Sequence, residues 1–298
     1  YELAGHVANE MFGRVGSKLG TLRVSGPDAN GIVAACSQLL GRHDCNIVQS
    51  EQWTDLRESM FFQRVGFVYH ESTVNKESCH VELMEVANHF GLEIQVNWRD
   101  RKKSIGVMVS KHDHCLWELL LRHSAHELDA NIEVVVSNHE DLRPVAETFQ
   151  IPFYVVPVTP EHKLEQEAKQ LELLKDVDLV VLARYMQVLS GNFLNHFQNR
   201  VINIHHSFLP AFKGGSPHKQ AYDRGVKLIG ATAHYTTLDL DNGPIIEQDA
   251  IRVSHRDETS DLIRKGRTLE RNVLVKAIEA HLDDRVFVYK NRCVVFND

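Results

Sequence analysis

Residues 178–206 read DLVVLARYMQVLSGNFLNHFQNRVINIHH, and this stretch decides the fold. DLVVLAR and VINIHH are short, almost unbroken apolar runs, the pattern of strands covered on both faces, and a helical piece around residues 193–197 stands between them. The same alternation continues upstream. IGVMVS, a helix over 115–123, IEVVVS, a helix over 141–149 and FYVVPV follow one another, and a further helix begins near Glu161. In that last helix Leu164, Ala168, Leu171 and Leu174 form the expected inward stripe, with Glu165 and Lys169 paired one turn apart on the surface. Strands alternating with helices in this way predict an α/β domain with a doubly wound, mostly parallel sheet. Ligands of such sheets bind beyond the carboxyl ends of the strands, so the residues just after Leu182 and Ile204 are where chemistry is to be sought.

Farther upstream, residues 98–104 (WRDRKKS) place five charged residues between two apolar segments and read as a linker. Before it, TLRVSG is a strand, PDANG a turn, and Ile32, Val33, Cys36, Leu39 and Leu40 recur at helical spacing. NIVQSEQWTD and MFFQRVGFVY read as strands, VELMEVANHFG as a helix closed by Gly91, and LEIQVNW as a last strand. The resulting order β-α-β-β-α-β is ferredoxin-like. Two domains are thus expected, 1–100 and 101–298, in keeping with 298 residues against the roughly 100–200 typical of one domain.

The 33 basic and 40 acidic residues leave a net charge of −7 with no basic block, which argues against nucleic acid as the main partner. Five scattered cysteines without a CxxC spacing argue against a disulfide framework and against a cysteine-rich zinc site, and fit a reducing compartment. Apolar runs fall far short of the roughly 20 residues that span a bilayer, so a soluble, cytoplasmic protein with no membrane partner is expected. Because the chain begins at Tyr1, a mitochondrial setting stays open should a transit peptide precede it.

In an extended strand Asn203 and His205 share one face, while Ile204 and His206 point the other way. Farther on, GATAHYTTLDLDNGPIIEQDAI reads as a strand, a loop and a returning strand, with Asp241 just before the turn residues Asn242 and Gly243. Taken singly, a strand-end His or an Asp before Asn-Gly is ordinary structural chemistry; the three together are not. An amide, an imidazole and a carboxylate without a Ser or Cys nucleophile suggest direct transfer or hydrolysis of an acyl group. Asn203 and a protonated His205 would stabilise the tetrahedral oxyanion, and Asp241 would hold and deprotonate water. The run His112, Asp113, His114, Cys115 does not suggest a metal site, since adjacent residues cannot all reach one ion.

NIHHSFLPAFKGG, LARYMQVLS and GATAHYTTLDLDNGPIIEQ together resemble the folate-dependent formyltransferases over residues 104–298, and the catalytic Asn, His and Asp of that family match Asn203, His205 and Asp241. The resemblance implies a folate pocket lined by Leu182, Arg184, Tyr185, Met186, Val188, Leu189, Thr237 and Leu240. PDANGIVAACSQLL, NIVQSEQWTD and FFQRV are similar to an ACT domain, a module that binds amino-acid effectors and pairs side by side, which implies a homo-oligomer. An ACT domain before a formyltransferase-like domain is the arrangement of the formyltetrahydrofolate deformylase family. That resemblance implies hydrolysis of 10-formyltetrahydrofolate to formate and tetrahydrofolate, within one-carbon metabolism and formate supply for purine synthesis, with folate as substrate and no metal, nicotinamide or other cofactor.

Two rivals remain at the level of sequence. One is a transferase passing the formyl group to an amine such as glycinamide ribonucleotide; relatives of that kind carry a glycine-rich phosphate loop after the first catalytic strand, where this chain has SKHDHC and no glycine between Gly106 and Gly191. A relative acting on initiator methionyl-tRNA would show HPSLLP and a further C-terminal barrel, whereas this chain reads HHSFLP and ends at Asp298. The other rival is an amino-acid sensor with an inactive catalytic domain, disfavoured because all three catalytic positions are filled.

Overall fold

The structure is a computed structural model and describes residues 16–211 and 216–297, so the end of the motif quoted above, residues 212–215, lies outside the described residues. The chain divides into two compact units within the charged stretch, one comprising the residues up to Lys102 together with Phe296–Asp298 and one spanning Lys103–Val295.

The first unit runs β1 (Ser17–Pro27), α1 (Ile32–Arg42), β2 (Asn46–Asp55), β3 (Met60–His70), α2 (Lys76–Phe90), β4 (Glu93–Asn97). Its strands pair antiparallel in the order β2-β3-β1-β4, which is the expected β-α-β-β-α-β arrangement. The stripe of α1 buries Ile32, Cys36, Leu39 and Leu40 against Leu22, Val24, Val65 and Phe67. Asn75 caps α2 by accepting from the Ser78 N–H at 3.0 Å, and Gly91 closes it in the left-handed conformation that only a residue without Cβ adopts freely.

The second unit contains β5 (Lys103–Val109), α3 (His114–Ser124), β6 (Ala130–Ser137), α4 (Arg143–Thr148), β7 (Phe153–Val155), a 3-10 turn (Pro160–His162), α5 (Lys163–Leu174), β8 (Leu179–Leu182), α6 (Gly191–His196) and β9 (Val201–His205). It continues with α7 (Pro217–Arg224), β10 (Leu228–Tyr235), β11 (Ile245–Arg252), α8 (Thr259–Leu282) and the hairpin β12 (Val286–Tyr289), β13 (Arg292–Val295). The seven-stranded sheet has the order β11-β10-β9-β8-β5-β6-β7. Strands β5 to β9 are parallel, and β10 and β11 are added antiparallel. Both faces are covered, as the apolar runs require: Val107, Val109, Val181 and Ile202 pack under α3 and α8, while Met108, Val180 and Leu182 face α5 and α6. The strand order reverses between β5 and β8, which opens a crevice past Val109 and Leu182.

Three expectations need correction. The inward face of α5 is Glu167, Gln170 and Leu174, whereas Leu164 is 71% exposed and Ala168 is also exposed. Leu171 and Leu174 do pack inward, and periodicity misreads only the first half of this helix, where the buried residues are polar and their partners lie in a distant loop. The helix expected over 141–149 shrinks to Arg143–Thr148, and FYVVPV supplies only three strand residues. The 24-residue α8 and the final hairpin belong to a region for which no element was read from the sequence. The Glu165–Lys169 pair is present at 2.7 Å on the surface, as expected. No described helix is long and apolar enough to cross a membrane.

Candidate active site

β9 lies between β8 and β10, and its register sets Asn203 opposite Leu182 on one side and His234 on the other. Ile202 and Ile204 are core residues, so the alternation of the strand leaves Asn203 and His205 to the other face. The Asn203 Nδ2 donates to His234 Nε2 at 3.2 Å, and His234 Nδ1 donates to the Tyr235 carbonyl at 3.0 Å. These two bonds fix the neutral ring with its proton on Nδ1, and burial keeps the pKa of His234 low.

Asp241 reaches the site from the β10–β11 loop. A bulge at Ala233/His234 and a tight turn shape this loop: Tyr235 N–H donates to the Pro244 carbonyl at 2.9 Å, and a Cβ on Gly243 would lie 1.7 Å from the Tyr235 oxygen. Only glycine fits there. Asp241 itself has φ +52, a conformation Asp tolerates better than most residues. Its Oδ1 lies 3.3 Å from His205 Nδ1 and 4.0 Å from His234 Nε2. The His205 contact holds the Asp241 carboxyl below the usual range although burial opposes it. His205 Nε2 is buried and has no hydrogen-bond partner among the described residues.

These groups line a cavity of about 350 Å³. All eleven residues singled out in the sequence border it: Asn203, His205 and Asp241, together with Leu182, Arg184, Tyr185, Met186, Val188, Leu189, Thr237 and Leu240. Met186 and Val188 on one wall and Leu238 and Leu240 on the other are more than half exposed, which makes the mouth apolar. The wall after β8 is fastened by polar side chains. Met186 N–H donates to Ser110 Oγ at 3.0 Å, Gln170 Nε2 donates to the Tyr185 hydroxyl at 2.9 Å, and Ser190 N–H donates to Glu167 Oε1 at 2.9 Å. The polar face of α5 therefore exists to hold this loop. Burial pushes the Tyr185 hydroxyl up to about 12, so it stays protonated.

The formyl transferase family matches residues 103–278. A formyltetrahydrofolate deformylase of Bacillus subtilis is 48% identical over 93% of this chain and 94% of its own length. The chain belongs to the formyltetrahydrofolate deformylase family. A solved formyltetrahydrofolate deformylase from Pseudomonas syringae pv. tomato superposes along the whole of both chains with a TM-score of 0.90 at 40% identity. A glycinamide ribonucleotide transformylase 1 from Symbiobacterium toebii, at 31% identity and a TM-score of 0.62, covers 94% of its own chain but only 65% of this one. The deformylase relatives thus match both units, whereas the transformylase leaves about a third of this chain uncovered.

In this deformylase-family chain the cavity also uses Gln187 and Leu238, which fall within the stretches 182–189 and 237–241 that the resemblance assigns to the pocket, and Ile204, His206, Ser216, His234 and Thr236, which sequence reasoning did not assign to it. His234 carried the clearest signal, since it lies in the strand leading to Asp241. Strand alternation predicts that His206 points away from His205. The strand ends at His205, so the two-residue alternation stops there, and His206 lines the same cavity with its ring 5.3 Å from that of His205. Burial, reinforced by the nearby Arg184 charge, pushes His206 down to about 3 and keeps it neutral. Of the run His112 to Cys115, only His114 and Cys115 come together with a third donor, Glu270 of α8. Glu270 Oε2 is met by His114 Nε2 at 2.8 Å and by Arg184 Nη1 at 2.9 Å, so an internal cation already holds that oxygen. Burial also keeps the Cys115 thiol protonated, which does not suit a metal ligand.

Proposed function

We propose that this protein hydrolyses 10-formyltetrahydrofolate to formate and tetrahydrofolate, with Asn203, His205 and Asp241 as the catalytic set. The observation that carries the reading is the end of the cavity, where an amide, an imidazole with a bare Nε2 and a carboxylate kept ionised meet beside an apolar mouth. Identity to curated deformylases supports the choice of substrate.

The formyl oxygen lies against the Asn203 amide and His205 Nε2. Water, held by Asp241, attacks the formyl carbon and gives its proton to that carboxylate. Charge develops on the formyl oxygen, where the two donors stabilise it more strongly than they stabilise the ground state. The C–N10 bond then breaks, N10 takes a proton from His205, and formic acid and tetrahydrofolate leave. His205 keeps its Nδ1 proton towards Asp241 at 3.3 Å, so the proton on Asp241 passes to solvent and Nε2 regains one from water. Every atom comes from water, the substrate and these side chains, so the scheme calls on neither a metal nor a nicotinamide. Leu182, Arg184, Tyr185, Met186, Val188, Leu189, Thr237 and Leu240 enclose the pterin end of the folate.

The first unit is read as an ACT domain that binds a small amino acid and pairs with a second copy; its strand order and its likeness to ACT sequences support this. Isothermal titration with a panel of amino acids should give a saturable heat for one of them, and uniformly absent heat would remove the sensor role. The decisive assay for the second unit supplies 10-formyltetrahydrofolate with and without glycinamide ribonucleotide. Formate release that ignores the amine is expected; formylated ribonucleotide without free formate would replace hydrolysis with transfer.

A further inference from the structure

Arg184 stands in the wall of the cavity with φ +66 and is only 8% exposed. A buried guanidinium is tolerated only where opposite charge meets it, and a non-glycine residue in the left-handed region persists only where its surroundings hold it there. Both needs converge on Glu270. This carboxylate comes from α8, lies outside the cavity wall and is 1% exposed. Its Oε2 accepts from Arg184 Nη1 at 2.9 Å and from His114 Nε2 at 2.8 Å, so α3 and α8 are tied to the loop after β8 through one oxygen atom. The other fastenings of the loop act at Tyr185, Met186 and Ser190, and none acts on the Arg184 side chain.

We infer that Glu270, braced by His114, is a positioning residue that sets the folate-binding wall through Arg184. The inference rests on the folate reading of the cavity. Among the described residues no hydrogen bond or ion pair links Asn203, His205 or Asp241, on β9 and the β10–β11 loop, to this tie, so the network governs binding rather than the chemical step.

Glu270→Gln keeps the shape and removes the charge. A charge-assisted hydrogen bond is worth roughly tenfold to a hundredfold in an equilibrium constant. We expect the Kd for tetrahydrofolate and the KM for 10-formyltetrahydrofolate to rise by about tenfold while kcat stays within about threefold. The stricter test is a double-variant cycle. In an Arg184→Met background, Glu270→Gln should add no further loss of affinity, because it acts through the residue already removed. Independent, additive losses would overturn the inference, as would a Glu270→Gln protein of unchanged Kd and KM whose only defect is a lower melting temperature. Should Glu270→Gln fail to fold, His114→Phe tests the brace alone, with a smaller rise in Kd expected and an unchanged Kd counting against it. Wild-type protein that binds tetrahydrofolate but releases no formate would contradict the hydrolytic reading and leave the cycle on Kd intact.

Discussion

His205 and Asp241 meet at 3.3 Å at the end of β9, and His114 and Glu270 meet at 2.8 Å between α3 and α8. The pairs are alike in chemistry and in burial, yet they are built for different work. Each imidazole has one buried nitrogen without a partner among the described residues, Nε2 of His205 and Nδ1 of His114, but only the His205 ring lines a cavity. In the second pair, Arg184 adds another cation to the same carboxylate oxygen, and neither His114 nor Glu270 borders the cavity. A buried imidazole–carboxylate pair becomes a reactive device when one nitrogen is left facing a substrate, and a fastener when a third charge closes it.

Substitutions should separate the two pairs along different axes. Asp241→Asn is expected to lower kcat by roughly 10²–10⁴ while tetrahydrofolate still binds, read from steady-state formate release beside a binding titration. Glu270→Ala should cost about 3–5 kcal/mol of stability by urea unfolding, since it leaves the Arg184 charge buried and unpaired. Equal losses of stability in both variants would erase the contrast. Asn203→Ala should lower kcat by about 10²–10³ with little change in KM, the signature of a donor used mainly in the transition state.

The smallest effects are in pH dependence. His205 holds Asp241 below its ordinary pKa, so a rate that needs this carboxylate ionised persists as pH falls and is lost only below about 4. An acid limb in kcat/KM lying above the ordinary aspartate value would contradict that arrangement. For Glu270, burial raises the pKa, but His114 and the Arg184 charge outweigh it and hold the group at about 2. A depressed carboxylate contributes stability above its unfolded value of about 4.3, and that contribution is lost as pH falls towards about 2. Urea midpoints measured down this window should fall more steeply for the wild type than for Glu270→Gln.

The two pairs also differ in how far they can be read from sequence. Asn203 and His205 are legible because a strand alternates its side chains, and Asp241 because Asn-Gly marks a turn; the strands themselves show as Val and Ile runs. His114 stands in a polar run that suggests nothing by itself. Its partner lies 156 positions away on α8, a helix not read from the sequence. Glu167 and Gln170 were missed for a related reason. Their helix buries polar groups in its first turns, so of the expected stripe Leu164 and Ala168 are exposed while Leu171 and Leu174 pack on the core. Polar groups buried to satisfy a distant loop leave no periodic trace, whereas apolar burial does.

The most direct test is a turnover of 10-formyltetrahydrofolate in water enriched in oxygen-18, with no amine acceptor, followed by mass analysis of the formate. Hydrolysis at the Asn203, His205 and Asp241 end of the cavity predicts one labelled oxygen in each formate released by the wild type and a collapse of that signal in Asp241→Asn. Labelled formate appearing at the same rate from both proteins, or no labelled formate from the wild type, would contradict it.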